Sequence, residues 1–136
     1  MVRVVIDTNV LVSALVGHGK PRVLVLELLL RHTVLSSQKL LLELLDVLSR
    51  EKFSTIRQSQ VDEFLSIVLE ATNRVRVRSA PKVIEEDPDE VLGAAVEGEA
   101  QYIVSGDGHL LTLGQFRGIT IVRVGQMLEL IQIRGT

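Results

Sequence analysis

The sequence predicts an α/β fold, a three-layer α/β/α sandwich around a central parallel sheet of about five strands. Two observations predict it. Short β-branched runs such as "VRVVI", "YIV" and "ITIV" alternate with Leu-rich segments of helical length such as "PRVLVLELLLR" and "LLLELLDVL". Strands alternating with helices call for right-handed crossovers and helices on both faces of one sheet. The composition agrees: 46% of the 136 residues are hydrophobic but only 3% aromatic, so the interior is built from Leu, Val, Ile and Ala. A chain of this length suits one domain over 1–136, with no repeat, low-complexity tract or linker to divide it.

Residues 2–6 read as a short buried strand that stops at Asp7, with a helix from about Thr8 to Leu15. "VGHGKP" breaks the chain, and Pro21 suits the first turn of a helix that runs to Arg31. Glu27 and Arg31 are spaced for an i,i+4 pair on it. "TVL" at 33–35 is a second strand, and Ser36 or Ser37 caps a helix that continues to about Arg50. A fourth helix spans roughly Gln58 to Thr72.

"RVRVR" at 74–78 alternates strictly, so a strand there sets Arg74, Arg76 and Arg78 on one face and Val75 and Val77 on the other. "DPDEVLGAAVEG" reads as a helix with Asp87 as N-cap, Pro88 at N1, Glu90 at N3 and Gly98 as C-cap. "QYIVSGD" is another buried strand ending in an acid. A short helix near 108–114, a strand at 119–122 and a helix at 125–132 complete the chain.

The bulk numbers exclude several classes. Without cysteine there is no disulfide framework and no thiolate chemistry, which suits a reducing compartment. No signal peptide precedes the first strand, and no apolar run is long enough to span a bilayer, so a cytoplasmic protein is expected. A net charge of −2 argues against a globally basic nucleic-acid binder, though charge placement can override the total. The mean hydropathy of +0.32 is high for a chain of this size and points to apolar surface covered by a partner, a homodimer first among them.

The acids are placed unusually. In an open parallel sheet, ligands bind beyond the carboxyl ends of the strands. Asp7 ends the first strand, Asp107 follows "YIVSG", Asp89 opens the preceding helix, and Glu43 interrupts an otherwise oily helix. Each has a plain structural explanation. Asp7 and Asp107 suit helix capping, Asp89 suits a helix dipole, and Glu43 has Lys39 one turn earlier to neutralise it. Together they say more, because crowded carboxylates raise one another's pKa unless a cation sits among them. Oxygen-only ligands suit Mg²⁺ or Mn²⁺, and such ions favour phosphoryl chemistry.

"VVIDTNVLVSAL", Glu43 in its Leu-rich helix, "DPDEVLGAAVEGEAQYIVSGDGHLL" and "GITIVRVGQML" together resemble the PIN domain family over essentially the whole chain. More narrowly, the chain resembles the small bacterial and archaeal VapC-like proteins, the toxin components of toxin–antitoxin pairs. The resemblance implies a metal-dependent ribonuclease with a parallel sheet between helices. It carries Asp7, Glu43, Asp89 and Asp107 over as catalytic and metal-binding acids, with Asn9 and Ser105 helping to orient the acids or a water. Asp87 is the alternative to Asp89, which is preferred because its spacing to Leu92 and Ala95 fits the family's helix pattern. His109 departs from the residue usual after "GD" and reads as a solvated loop histidine. The implied cofactor is Mg²⁺ or Mn²⁺, and the implied partners are single-stranded or structured RNA, a second copy of the chain and an antitoxin protein.

Lys20, Arg22 and Lys39 are the first candidates for RNA contacts, with Arg50, Lys52 and the "RVRVR" face behind them. The scarce aromatics argue against recognition dominated by stacking. A haloacid-dehalogenase-type phosphatase would need a second acid where Asn9 stands. The serious rival is a PIN-fold interaction module with weak or no nuclease activity, since fold alone does not fix function.

Overall fold

The computed structural model describes residues 1–50, 56–78, 82–84 and 87–134. In chain order the elements are β1 (Arg3–Ile6), α1 (Thr8–Val16), α2 (Lys20–Arg31), β2 (Thr33–Ser36), α3 (Gln38–Arg50), α4 (Gln58–Ala71) and β3 (Thr72–Arg74). Then follow β4 (Lys82–Ile84), β5 (Asp87–Pro88), α5 (Glu90–Glu97), β6 (Tyr102–Val104), α6 (Gly108–Leu113), β7 (Gln115–Phe116), β8 (Ile119–Val122) and α7 (Val124–Arg134). The main sheet has the order β3-β2-β1-β6-β8-β7, parallel throughout except for β7, which pairs antiparallel with β8. Its parallel part therefore has the five strands expected. Strands β4 and β5 form a separate antiparallel pair.

Side chains alternate across a strand, so a sheet covered on both faces must be apolar on both. Val4, Ile6, Val34, Val104 and Val122 enter one buried cluster with residues of α1, α2, α3, α4 and α7. Val5, Leu35, Ile103 and Ile121 enter a second cluster with α5, Leu40 and Leu110. Two cores separated by one sheet make the three layers. Among the described residues no helix is long and apolar enough to cross a membrane.

Several local expectations hold. Ser37 caps α3, its Oγ accepting from the Leu40 N–H at 3.2 Å. Glu27 and Arg31 pair at 3.5 Å on the exposed side of α2, a contact of little energetic weight. Other expectations need correcting. Asp87 does not cap α5: it lies with Pro88 in β5, and Asp89 is the N-cap. The strand expected at 74–78 ends at Arg74, although the Val75 N–H still donates to Ser36 C=O at 2.7 Å. The alternation survives the loss of the ladder: the arginines are exposed, and Val75 and Val77 pack against the second core. The β7–β8 hairpin was not expected. It turns through Arg117 (φ 49°) and Gly118 (φ 82°), both left-handed as a two-residue hairpin loop requires.

Gly98 ends α5 as expected, but for another reason than a left-handed cap. Its φ is −85°, and the positive φ of 54° falls on Glu99 instead. What Gly98 allows is close approach. An added Cβ would meet Leu35 Cδ1 at 2.8 Å, Ala94 O at 3.0 Å and Val75 Cγ1 at 3.1 Å. Its carbonyl also accepts from the Arg3 guanidinium at 2.6 Å and 3.2 Å, tying the end of α5 to the start of β1. Gly98→Ala should cost about 1–3 kcal/mol in urea unfolding. Gly125→Ala, where an added Cβ meets nothing within 4 Å, should be neutral or mildly stabilising. Equal stability of the two variants would contradict this account of Gly98.

Candidate active site

The strand order reverses at β1: β2 and β3 lie to one side, and β6, β8 and β7 to the other. Such a reversal opens a crevice beyond the carboxyl ends of the two central strands. Asp7 and Ser105 stand there, each one residue past its strand. The Asp7 N–H donates to Val104 C=O at 2.9 Å, and the Ser105 N–H to Val122 C=O at 3.0 Å.

Asp7 is half-buried at the N-cap position of α1, yet its side chain makes no capping hydrogen bond. The Ser105 hydroxyl, on a residue only 1% exposed, donates to Asp7 Oδ2 at 2.7 Å. The Ser105 Oγ in turn accepts from the Asp107 N–H at 2.9 Å. One buried hydroxyl thus links two of the acids. Burial is the main cause that raises the Asp7 carboxyl above its ordinary value. Ser105 and, to a lesser extent, the Asn9 backbone oppose the rise, while the charges of Asp107 and Asp89 add to it.

Glu43 reaches the same place from α3. Its side chain touches solvent, but partial burial raises its pKa first and the charge of Asp7 second. Lys39 works against that rise, and Glu90 and Asp89 reinforce it. Asp7, Glu43, Asp89 and Asp107 therefore share one electrostatic neighbourhood. Asp89 is also a helix cap, the role expected of Asp87: its Oδ1 accepts from the Leu92 N–H at 3.0 Å. Asp107 caps α6 in the same way, Oδ1 accepting from the His109 N–H at 2.9 Å. Each commits one oxygen to its cap. The Asp87 side chain lies outside the described residues.

Glu90 is the acid that sequence reasoning missed. Its Oε2 accepts from the Ser37 hydroxyl at 3.2 Å, joining the start of α3 to the start of α5. Ser37 was marked only as a cap, and its partner lies 53 residues away, beyond any local pattern.

Every acid here offers oxygen, and each raised carboxyl is raised partly by its neighbours' charges. That donor chemistry fits a hard divalent cation such as Mg²⁺ or Mn²⁺. The side chains are not already drawn in around such an ion: among the described residues no group of three or more His, Cys, Asp or Glu is arranged to hold a metal.

The candidate RNA-binding cations divide between clefts. Lys39 lines an open groove of about 690 Å³ with Ser37, Glu90, Arg74 and Arg76. Arg22 bonds His18 at 3.0 Å and lines a different cleft of about 580 Å³; none of the four acids lines either one. Lys20 is exposed at the start of α2, beside Pro21. Pro21, Asn9, Ser105 and Arg123 line a third cleft of about 310 Å³. Arg50 instead pairs with Asp46 at 3.1 Å on α3, and Lys52 lies outside the described residues. His109 is exposed in the first turn of α6.

The PIN domain family model matches residues 3–109, a span that contains Asp7, Glu43, Asp89 and Asp107. The chain belongs to the PIN domain family. Among solved structures, this PIN chain is similar to a chain of VapBC2 from Rickettsia felis, crystallised bound to a DNA fragment from their promoter. The TM-score is 0.60 at 16% identity, over 89% of this chain and 98% of that one, a likeness that carries the fold alone. No curated protein matches the PIN chain by sequence.

Because folding raises the Asp7 carboxyl above 3.8, the folded chain takes up a proton more readily than the unfolded one. The charged carboxylate then costs stability across the neutral range, and the cost fades as pH falls through the raised value toward 3.8. Asp7→Asn, which keeps an acceptor for Ser105, should melt above the parent near neutral pH in EDTA. The gap should close as the medium is acidified. A variant that melts at or below the parent near neutral pH would refute it.

Proposed function

We propose that this chain is a ribonuclease dependent on Mg²⁺ or Mn²⁺, hydrolysing RNA phosphodiester bonds as the toxin component of a toxin–antitoxin pair in the cytoplasm. What supports the reading is a PIN fold with Asp7 at its strand-order reversal, where the charges of Asp107 and Asp89 act on Asp7 and those of Asp7 and Asp89 act on Glu43. In this reading those four acids hold the ion. Its chemistry, when bound, is to offset phosphate charge and to supply a water acidic enough to attack phosphorus at neutral pH.

The chain's own residues prepare that chemistry. Ser105 fixes one oxygen of Asp7 and the main chain of Asp107 through a single hydroxyl. Being buried and committed in both directions, Ser105 is a positioning residue and not a nucleophile. Asp89 and Asp107 are oriented by their caps, each keeping one oxygen uncommitted to that cap. Lys39 moderates the charge on Glu43. Without cysteine and with Ser105 engaged, hydrolysis by an activated water is the route these residues serve.

A homodimer belongs to the same proposal. Val23 (57%) and Leu30 (75%) are exposed on α2, two turns apart and so on one side of the helix, where a second copy or an antitoxin would cover them. The second reading is a PIN-fold interaction module. It is favoured by the absence, among the described residues, of a group already arranged to hold a metal.

Cleavage of a labelled single-stranded RNA with Mg²⁺ or Mn²⁺ separates the two readings. Turnover should vanish in EDTA and in an Asp7→Asn, Asp89→Asn double variant, which keeps an Asn cap on α5. Ser105→Ala should lose roughly 10–100-fold in metal affinity or activity, as expected for a residue that orients a ligand. Metal-induced stabilisation without cleavage would favour the interaction module. Cleavage that survives the double variant would remove the site.

A further inference from the structure

The groove that begins at Glu43's neighbour Lys39 has a charge pattern unlike the acid edge beside it. Lys39, Arg74 and Arg76 line it, all three exposed, and among the described residues none of them is in an ion pair. The two arginines are aimed by packing. Val75 and Val77 are held against the second core, and the Val75 N–H is bonded to Ser36 C=O, so the intervening side chains must face outward. Two residues of extended chain set them about 6.6 Å apart, of the order of the separation between successive phosphates in a single strand. Glu90 and Lys39 set the groove beside the acid edge, although none of the four acids lines it. Glu90 lines the groove, accepts from Ser37 and acts on the charge of Glu43; Lys39 lines the groove and acts on the charge of Glu43 as well.

We infer that this groove binds the sugar–phosphate backbone of the RNA strand on one side of the bond to be cut, with Arg74, Arg76 and Lys39 as the phosphate contacts. The inference rests on the ribonuclease reading and adds to it where the strand lies and how it is recognised. Among the described residues the apolar lining is Leu42, Val75 and Val77, with no aromatic ring on which a base could stack. Recognition in the groove is therefore electrostatic, tolerant of sequence and steeply dependent on salt. The negative net charge of the chain is no obstacle, because the strand meets this local row first and the acids only at the reacting phosphate.

β3 is an edge strand, and a row of arginines beside such an edge also discourages pairing with another chain. The experiment distinguishes the two roles. Binding of a labelled single-stranded RNA to the full chain is followed by fluorescence anisotropy in EDTA across a salt series. Arg74→Gln, Arg76→Gln is compared with the parent and with Arg31→Gln, a cation on α2 remote from the groove. Cleavage of a dinucleotide, too short to reach the groove, is measured alongside with Mg²⁺.

The double variant should bind at least tenfold more weakly, and its salt slope should be shallower by about 1.4, two contacts at about 0.7 each. Dinucleotide cleavage should not change, and Arg31→Gln should match the parent. Parent-like affinity and slope in the double variant would overturn the groove while leaving the nuclease intact. So would an equal loss in Arg31→Gln, which would mean diffuse attraction. Self-association of the double variant with unchanged RNA binding would give the arginines to edge protection. A parent chain that neither binds RNA nor cuts the dinucleotide would overturn the ribonuclease reading, and the groove with it.

Discussion

The hydrogen bond from Ser105 to Asp7 is the contact on which the site depends. It spans the seam between β1 and β6, where the strand order reverses, and adds a side-chain tie beyond the last backbone bond, Asp7 N–H to Val104 C=O. Asp7 is there at a cost, since burial and the nearby charges of Asp107 and Asp89 all disfavour its ionised form. Ser105 partly offsets that cost and, by accepting from the Asp107 N–H, sets the turn that leads into α6. A serine 1% exposed with both directions of its hydroxyl in use cannot rotate to suit a new partner. The geometry of two acids follows from one side chain.

The rest of the fold makes that arrangement tolerable. Strands that are apolar on both faces give the sheet two cores, so its stability does not rely on the crevice at its carboxyl edge. The helices that deliver the acids are anchored away from them. Arg3 binds the last carbonyl region of α5 through Gly98, and Leu92 in the same helix is fully buried. Ser37 and Glu90 then join α5 to α3, the helix of Glu43. The acids can repel one another locally because the elements carrying them are fixed elsewhere.

Much of this was legible in the sequence, and what was not has identifiable causes. The strand ends at Asp7 and Asp107 and the oily helix around Glu43 are local patterns, and each lies where the pattern puts it. "DPDE" holds two plausible caps two residues apart, and the pairing of β5 with β4 took Asp87 out of competition, a tertiary effect that no capping rule contains. "RVRVR" predicts the right faces but not the ladder, because Val75 and Val77 are held by packing after β3 has stopped. The β7–β8 hairpin turns on an arginine at φ 49°, a conformation for which Arg is no signal. Arg22 and Lys39 look equivalent as candidate RNA contacts along the chain; only the fold puts them in different clefts.

In the proposed reading, the same separation reconciles a net charge of −2 with a polyanionic substrate. The total is an average over two surfaces of opposite sign that share a border at Lys39 and Glu90. Uniformly basic surface would attract RNA but leave nothing to gather a cation; uniformly acidic surface would gather a cation and repel the strand. Placing the acids at the seam of the sheet and the arginines beside its edge lets each sign act over a short range, within the roughly 8–10 Å beyond which salt screens exposed charges. In the proposed reaction, the repulsion stored among Asp7, Glu43, Asp89 and Asp107 is relieved only when cation charge enters. Binding of the ion and assembly of the site then become one event.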